Sequence, residues 1–139
     1  MTATASAQLG QIHALLAERG YEVTEPSADS LNIRETDSGV SIHAVVQGDI
    51  MFLSLPCTVV PRASITPQIM ERMLDANNGI STSHFSLYKA PNGKVAINLN
   101  NFCKLQDLGA DDEDDILSCV HFLLVDVMSA RRLLSGLKS

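Results

Sequence analysis

The sequence has no tryptophan, and its aromatic residues are four phenylalanines and two tyrosines. Without large rings to fill space, a core has to be assembled from aliphatic side chains. No apolar run reaches the roughly 18 residues that a membrane-spanning helix requires. Lys and Arg form no stripe, so a surface that tracks nucleic-acid phosphates is not expected. The first residues, MTATASAQLGQIHALL, lack the basic start and apolar segment of a secretory signal. Cysteines are few: Cys57, Cys103 and Cys119 are odd in number and widely spaced. That pattern argues against a disulfide framework and for reduced, buried thiols, and hence for a cytoplasmic protein.

Catalytic signatures are missing as well. There is no CxxC, HExxH or GxSxG, and Gly93-Lys94 lacks the earlier glycine and the following Ser or Thr of a phosphate loop. His13, His43, His84 and His121 fall in four different segments. Cys119 and His121 are two apart on a helix, so they point roughly 200° from each other and share no ligand. The acidic run Asp111 to Asp115 has neither the spacing nor the glycine of a calcium loop, and reads as a solvated helix start. The expectation is therefore no catalytic residue, no metal and no cofactor. A pocket near His43 and His84, on strands that could meet, is the alternative: a small-ligand or metal sensor, or an enzyme.

What is present is a chain of 139 residues, 45% hydrophobic, with mean hydropathy +0.11, enough to bury one core as a single domain over residues 1–139. The net charge of −6 is local in origin: five of sixteen acids lie in the run 111–115, and the other eleven nearly balance ten bases. Residues 5–19 carry Leu9, Ile12, Leu15 and Leu16 at helical spacing, with Gly20 as the C-terminal cap. A short extended piece, Tyr21 to Thr24, precedes the turn at Glu25-Pro26-Ser27. Alternation then marks strands at Leu31–Thr36 and Val40–Gln47, and a third run at Ile50–Leu55 is apolar on both faces. Gly48-Asp49 is a two-residue hairpin turn, and Pro56 and Pro61 bracket a less regular stretch.

Thr66-Pro67 opens a second helix as N-cap and first residue, with Ile69, Met70, Met73 and Leu74 as its apolar face and Asn77-Asn78-Gly79 as its end. A second hairpin joins Ser83–Lys89 to Lys94–Asn101 through Pro91-Asn92-Gly93. The last helix, about Asp112 to Leu134, begins with acids and ends with Arg131, Arg132 and Lys138, as its dipole favours. Its residues Ile116, Val120, Leu123, Val127, Ala130, Leu134 and Leu137 are spaced as a heptad stripe. Leu117, Cys119, Phe122, Leu124, Val125 and Met128 are apolar too and lie on other sides. A helix apolar nearly all round has to be covered on more than one face. A second copy of the chain is the simplest cover.

The order is helix, three strands, helix, two strands, helix, an α+β pattern. With LDANNG leading into SHFSLYKAPNGKVAINLNNF and then DDILSCVHFLLVDVMSARRLL, the chain resembles type III secretion chaperones and the YbjN-like family of bacterial proteins. The resemblance implies a single five-stranded antiparallel sheet flanked by three helices, in the order αβββαββα and usually in a homodimer. Such chaperones are non-enzymatic and hold a partly unfolded stretch of a secreted effector, while the YbjN-like branch is associated with regulation. The expected function is thus a homodimeric, chaperone-like or regulatory protein that binds an extended segment of a partner. Leu9, Ile12, Leu16, Val45, Ile50 and Phe52 are the expected partner-binding residues. Met70, Met73, Val120, Leu124 and Val127 are the expected dimer interface.

Overall fold

In the computed structural model, which describes residues 2–106 and 108–137, helix α1 (Thr2–Glu18) stops at a glycine in the left-handed region. Gly20 has φ +92, its N–H donates to the Ala17 carbonyl, and the Tyr21 N–H donates to the Leu16 carbonyl. Those two bonds satisfy carbonyls that a helix end otherwise leaves orphaned. The chain then forms β1 (Glu22–Ser27), β2 (Ser30–Arg34), β3 (Ser41–Gln47) and β4 (Ile50–Pro61). After a 3-10 turn (Arg62–Ser64) come α2 (Pro67–Leu74), β5 (His84–Ala90), β6 (Lys94–Lys104) and α3 (Ala110–Leu133). Lys138 lies outside the described residues.

The sheet has six strands in the order β1-β2-β3-β4-β6-β5, where five were expected, and the helix-strand order is accordingly αββββαββα. The added strand is β1: it takes in most of the extended piece expected at Tyr21 to Thr24 and runs on through Glu25-Pro26-Ser27, where a turn was expected, so that the turn falls at Ala28 and Asp29. Five of its six residues are exposed and only Val23 is half-buried, so no hydrophobic alternation announces it. Pairing with β2 defines it instead, with Glu22 opposite Arg34 and their side chains joined at 3.0 Å. The stretch expected to be irregular between Pro56 and Pro61 is also strand, the second half of β4. The β3–β4 ladder ends at His43 opposite Ser54, so Pro56, which lacks an N–H to donate, follows the last pair of that ladder.

The chain divides into two compact units, each made of two separate stretches. The first unit comprises residues 1–54 and 101–121. Its strands turn Leu31, Ile33, Ile42, Ala44, Val46, Met51 and Leu53 to the interior, where α1 packs on β1, β2 and β3. At the start of α3, Asp112 is 1% exposed and its carboxylate accepts the Gln106 N–H at 2.5 Å. The acidic run is therefore solvated only in part: Asp111, Glu113, Asp114 and Asp115 are exposed, and Asp112 reaches back to hold the preceding loop.

The second unit comprises residues 55–100 and 122–139. Its core gathers Val60, Met73, Val95, Ile97 and Leu134. Thr66 caps α2 by accepting the Ile69 N–H at 3.3 Å, and Pro67 takes the first helical position. The β5–β6 turn places Asn92 at φ 64 and Gly93 at φ 73, the paired positive angles of a tight hairpin turn. One polar group is central to this unit. Asp126 has no exposed surface, and its carboxylate accepts the N–H groups of Ser81, Thr82 and Ser83 at 2.9, 3.3 and 3.3 Å and the Ser83 hydroxyl at 2.7 Å.

Truncating that carboxylate strands three backbone donors. Asp126→Ala is expected to cost about 3–5 kcal/mol of stability in urea unfolding, and Asp126→Asn a smaller amount, because its remaining carbonyl still accepts.

Candidate functional site

The last helix separates into two faces. Ile116, Val120, Leu123, Val127, Ala130 and Leu134 are all buried, so the heptad stripe is the core stripe. Within the second unit a different set keeps exposed surface: Phe122, Val125 and Met128 are 37, 45 and 55% exposed. They recur every third residue and so lie along one side of the helix. The neighbouring carboxylate, Asp126, is turned inward and occupied, which leaves no charge within this strip. An apolar strip of this kind is what a soluble monomer keeps small and what an interaction surface keeps exposed.

A second exposed apolar group belongs to the first unit. Val45 pairs with Phe52 and Gln47 with Ile50 across the β3–β4 ladder. Phe52 is 44% exposed, and Val45 and Ile50 are half-buried, on the sheet face opposite the core. The structure thus keeps three of the expected partner-binding residues on one accessible face. It removes the other three: Leu9, Ile12 and Leu16 are fully buried on the inner side of α1 and offer no surface to a partner.

The expected dimer interface divides in the same way. Met73, Val120 and Val127 are buried core residues, while Met70 is exposed and Leu124 half-buried. Of the three expected residues on the last helix, Val120 and Val127 belong to the heptad stripe, which the fold uses for its own core, and Leu124 lies beside it. The residues the expectation passed over, Phe122, Val125 and Met128, are the accessible ones. Their signal in the sequence was being apolar while falling outside the heptad.

Both histidines of the alternative reading are exposed. His43 is exposed in the first unit, with its Nδ1 and the Asn32 Oδ1 at 3.1 Å, and His84 is exposed at the start of β5 in the second. Among the described residues, no three of His, Cys, Asp and Glu gather to hold a metal ion. A cleft of the second unit, about 500 Å³, is lined by Arg72, Asp75, Asn77, Ser129 and Arg132 among others. Both arginines stand in the last turns of their helices, where each offsets a partial negative charge of about one half. With Asp75 added, the local charges nearly cancel, and the cleft has no strong pull on an anion.

Burial controls one thiol strongly. Cys57, half-buried in the second unit with its Sγ 3.8 Å from the Leu55 carbonyl oxygen, is pushed up from 9.0 to about 11 by desolvation, against smaller opposing effects of the Leu99 backbone and the Arg131 charge. It is a neutral packing group over the physiological range.

Comparison with known proteins supports the fold. The crystal structure of YbjN from E. coli, a protein provisionally assigned as a transcription regulator, superposes with a TM-score of 0.65 at 14% sequence identity, covering 94% of this chain and 96% of that one. The chain therefore has a YbjN-like α+β fold. No protein-family model matches it, and no curated protein matches at sequence level. Among the described residues, no helix is long and apolar enough to cross a membrane.

Two outcomes follow from these positions. Val127→Ala is expected to lower stability by about 1–3 kcal/mol and Val125→Ala by no more than about 0.5 kcal/mol, both read from denaturant midpoints at equal protein concentration below any self-association. The Cys57 thiol, with its thiolate about a hundredfold scarcer than an ordinary cysteine's, is expected to alkylate about a hundredfold more slowly at pH 8 in the native protein than after unfolding.

Proposed function

We propose that this chain is a non-enzymatic protein-binding domain that pairs with a second copy of itself and holds an extended segment of another protein, in a regulatory or chaperone-like role. The observation that carries this reading is the exposed apolar strip of Val125 and Met128, continued by the partly exposed Phe122, on a helix whose opposite side is already core. Half-covering each of these side chains is worth about 1 kcal/mol, so two copies gain about 6 kcal/mol. Association costs roughly 4–15 kcal/mol, so the strip alone is marginal. Met70 and Leu74 of α2, 40 and 82% exposed, supply the further area that a stable pair needs. A two-fold axis matches one self-complementary patch to itself.

The face carrying Val45, Ile50 and Phe52 suits the partner segment. Apolar side chains of an extended peptide would settle there, across the central strands β3 and β4. The provisional assignment of YbjN as a regulator agrees with such a role. The chaperone-like form of it rests on the sequence resemblance. Catalysis plays no part in this reading, and a reducing, cytoplasmic setting fits its free thiols.

Sedimentation equilibrium tests the pairing. The wild-type chain is expected at twice 15.0 kDa, and the Val125→Asp/Met128→Asp double variant at the single mass with an unchanged circular dichroism spectrum. A wild-type chain that stays at the single mass up to millimolar concentration overturns it. For partner binding, co-purification from the native host is expected to recover a protein with the wild type and to lose it with Phe52→Asp.

A further inference from the structure

Cys103 and Cys119 are sixteen positions apart, on β6 and α3, yet the fold of the first unit brings their thiols into a hydrogen bond with each other. The Cys119 Sγ also lies 3.6 Å from the Phe102 carbonyl oxygen, which fixes it against the strand beside Cys103. In the reduced chain this makes a short relay, Cys103 S–H to the Cys119 sulfur and Cys119 S–H to the Phe102 carbonyl. Both cysteines are free. They differ in access: Cys103 is 6% exposed and Cys119 is half-buried, so a small molecule meets Cys119 first.

We propose that Cys103 and Cys119 form a thiol-pair modification site, in which a hydroperoxide oxidises Cys119 and Cys103 resolves it to an intramolecular disulfide between β6 and α3. The Cys119 thiolate attacks the peroxide oxygen, the O–O bond breaks, and water or an alcohol leaves once protonated, with sulfenic acid on Cys119. The Cys103 sulfur, losing its proton, then attacks the Cys119 sulfur; the S–O bond breaks and a second water leaves. Two thiols are oxidised, one peroxide is reduced, and a dithiol reductant reverses the change by exchange.

The ionisation order agrees with these roles. The hydrogen bond from Cys103 lowers the Cys119 thiol, although burial and the Asp115 carboxylate work the other way. That same bond raises Cys103, joined by burial, the negative charge on Cys119, and the carboxylates of Asp115 and Asp112. The accessible sulfur is the one that ionises first, and the inner one keeps its proton until an electrophile stands next to it. Cys57, raised by burial, serves as the internal comparison.

The test treats the native, full chain with a small excess of hydrogen peroxide, then alkylates it under denaturing conditions and maps it by mass spectrometry. The expected product has lost the mass of two hydrogens, carries a Cys103–Cys119 cross-link, keeps Cys57 alkylatable, and returns to three alkylatable thiols after dithiothreitol. The same treatment in urea is expected to lose that selectivity. In the Cys103→Ser chain, dimedone should label Cys119. Recovery of Cys103 alkylated beside an oxidised Cys119 in the native wild-type protein overturns the proposal, as does a cross-link between copies or no oxidation of either thiol.

Discussion

A carboxylate without exposed surface has to be surrounded by donors, and Asp126 takes four from one short segment, Ser81 to Ser83. Four charge-assisted hydrogen bonds make it the polar centre of the second unit. They fix where the chain enters β5, and so the register in which β5 meets β6. They also decide the rotation of α3 about its own axis. With Asp126 pointing inward, Val127 falls into the core and Val125 falls outside it. A single buried charge therefore determines which apolar residues of the helix are structural and which remain on display.

Much of the local structure could be read directly from residue chemistry. Gly20 ends α1 through a left-handed turn, Thr66-Pro67 starts α2, and Asn92-Gly93 turns the second hairpin, because each of these conformations admits few residue types. Strand β1 was legible only as a short extended piece, for an opposite reason. An edge strand with solvent on nearly every side chain has no hydrophobic pattern to show, and only a partner strand defines it. Pro56 misled in the other direction, since proline disrupts a strand only where its missing N–H is needed.

The site was harder to read than the fold. In α3 the apolar residues were visible, but periodicity alone does not say which stripe the sheet claims. Leu9, Ile12 and Leu16 posed the same problem in α1: an apolar stripe at helical spacing looks alike whether it faces the protein's own sheet or a stranger. On β4, apolar on both faces, burial of Met51 and Leu53 is what leaves Ile50 and Phe52 on the other side, whereas for Val45 the alternation of β3 already shows the face. Burial of Asp112 and Asp126 was invisible for lack of any sequence cue to the loop amides that satisfy them.

The two rims of the sheet are not equivalent. β1, on one rim, contains Pro26 and an irregular register between Thr24 and Ser27, with Glu22 and Glu25 along it. A strand so interrupted and so negative is a poor template for another backbone. β5, on the other rim, pairs regularly with β6 through all seven of its residues and has no proline. Of the two rims, β5 is thus the better template for another backbone, and a strand added there alone would have no matching rim at β1 from which to run on into a fibre.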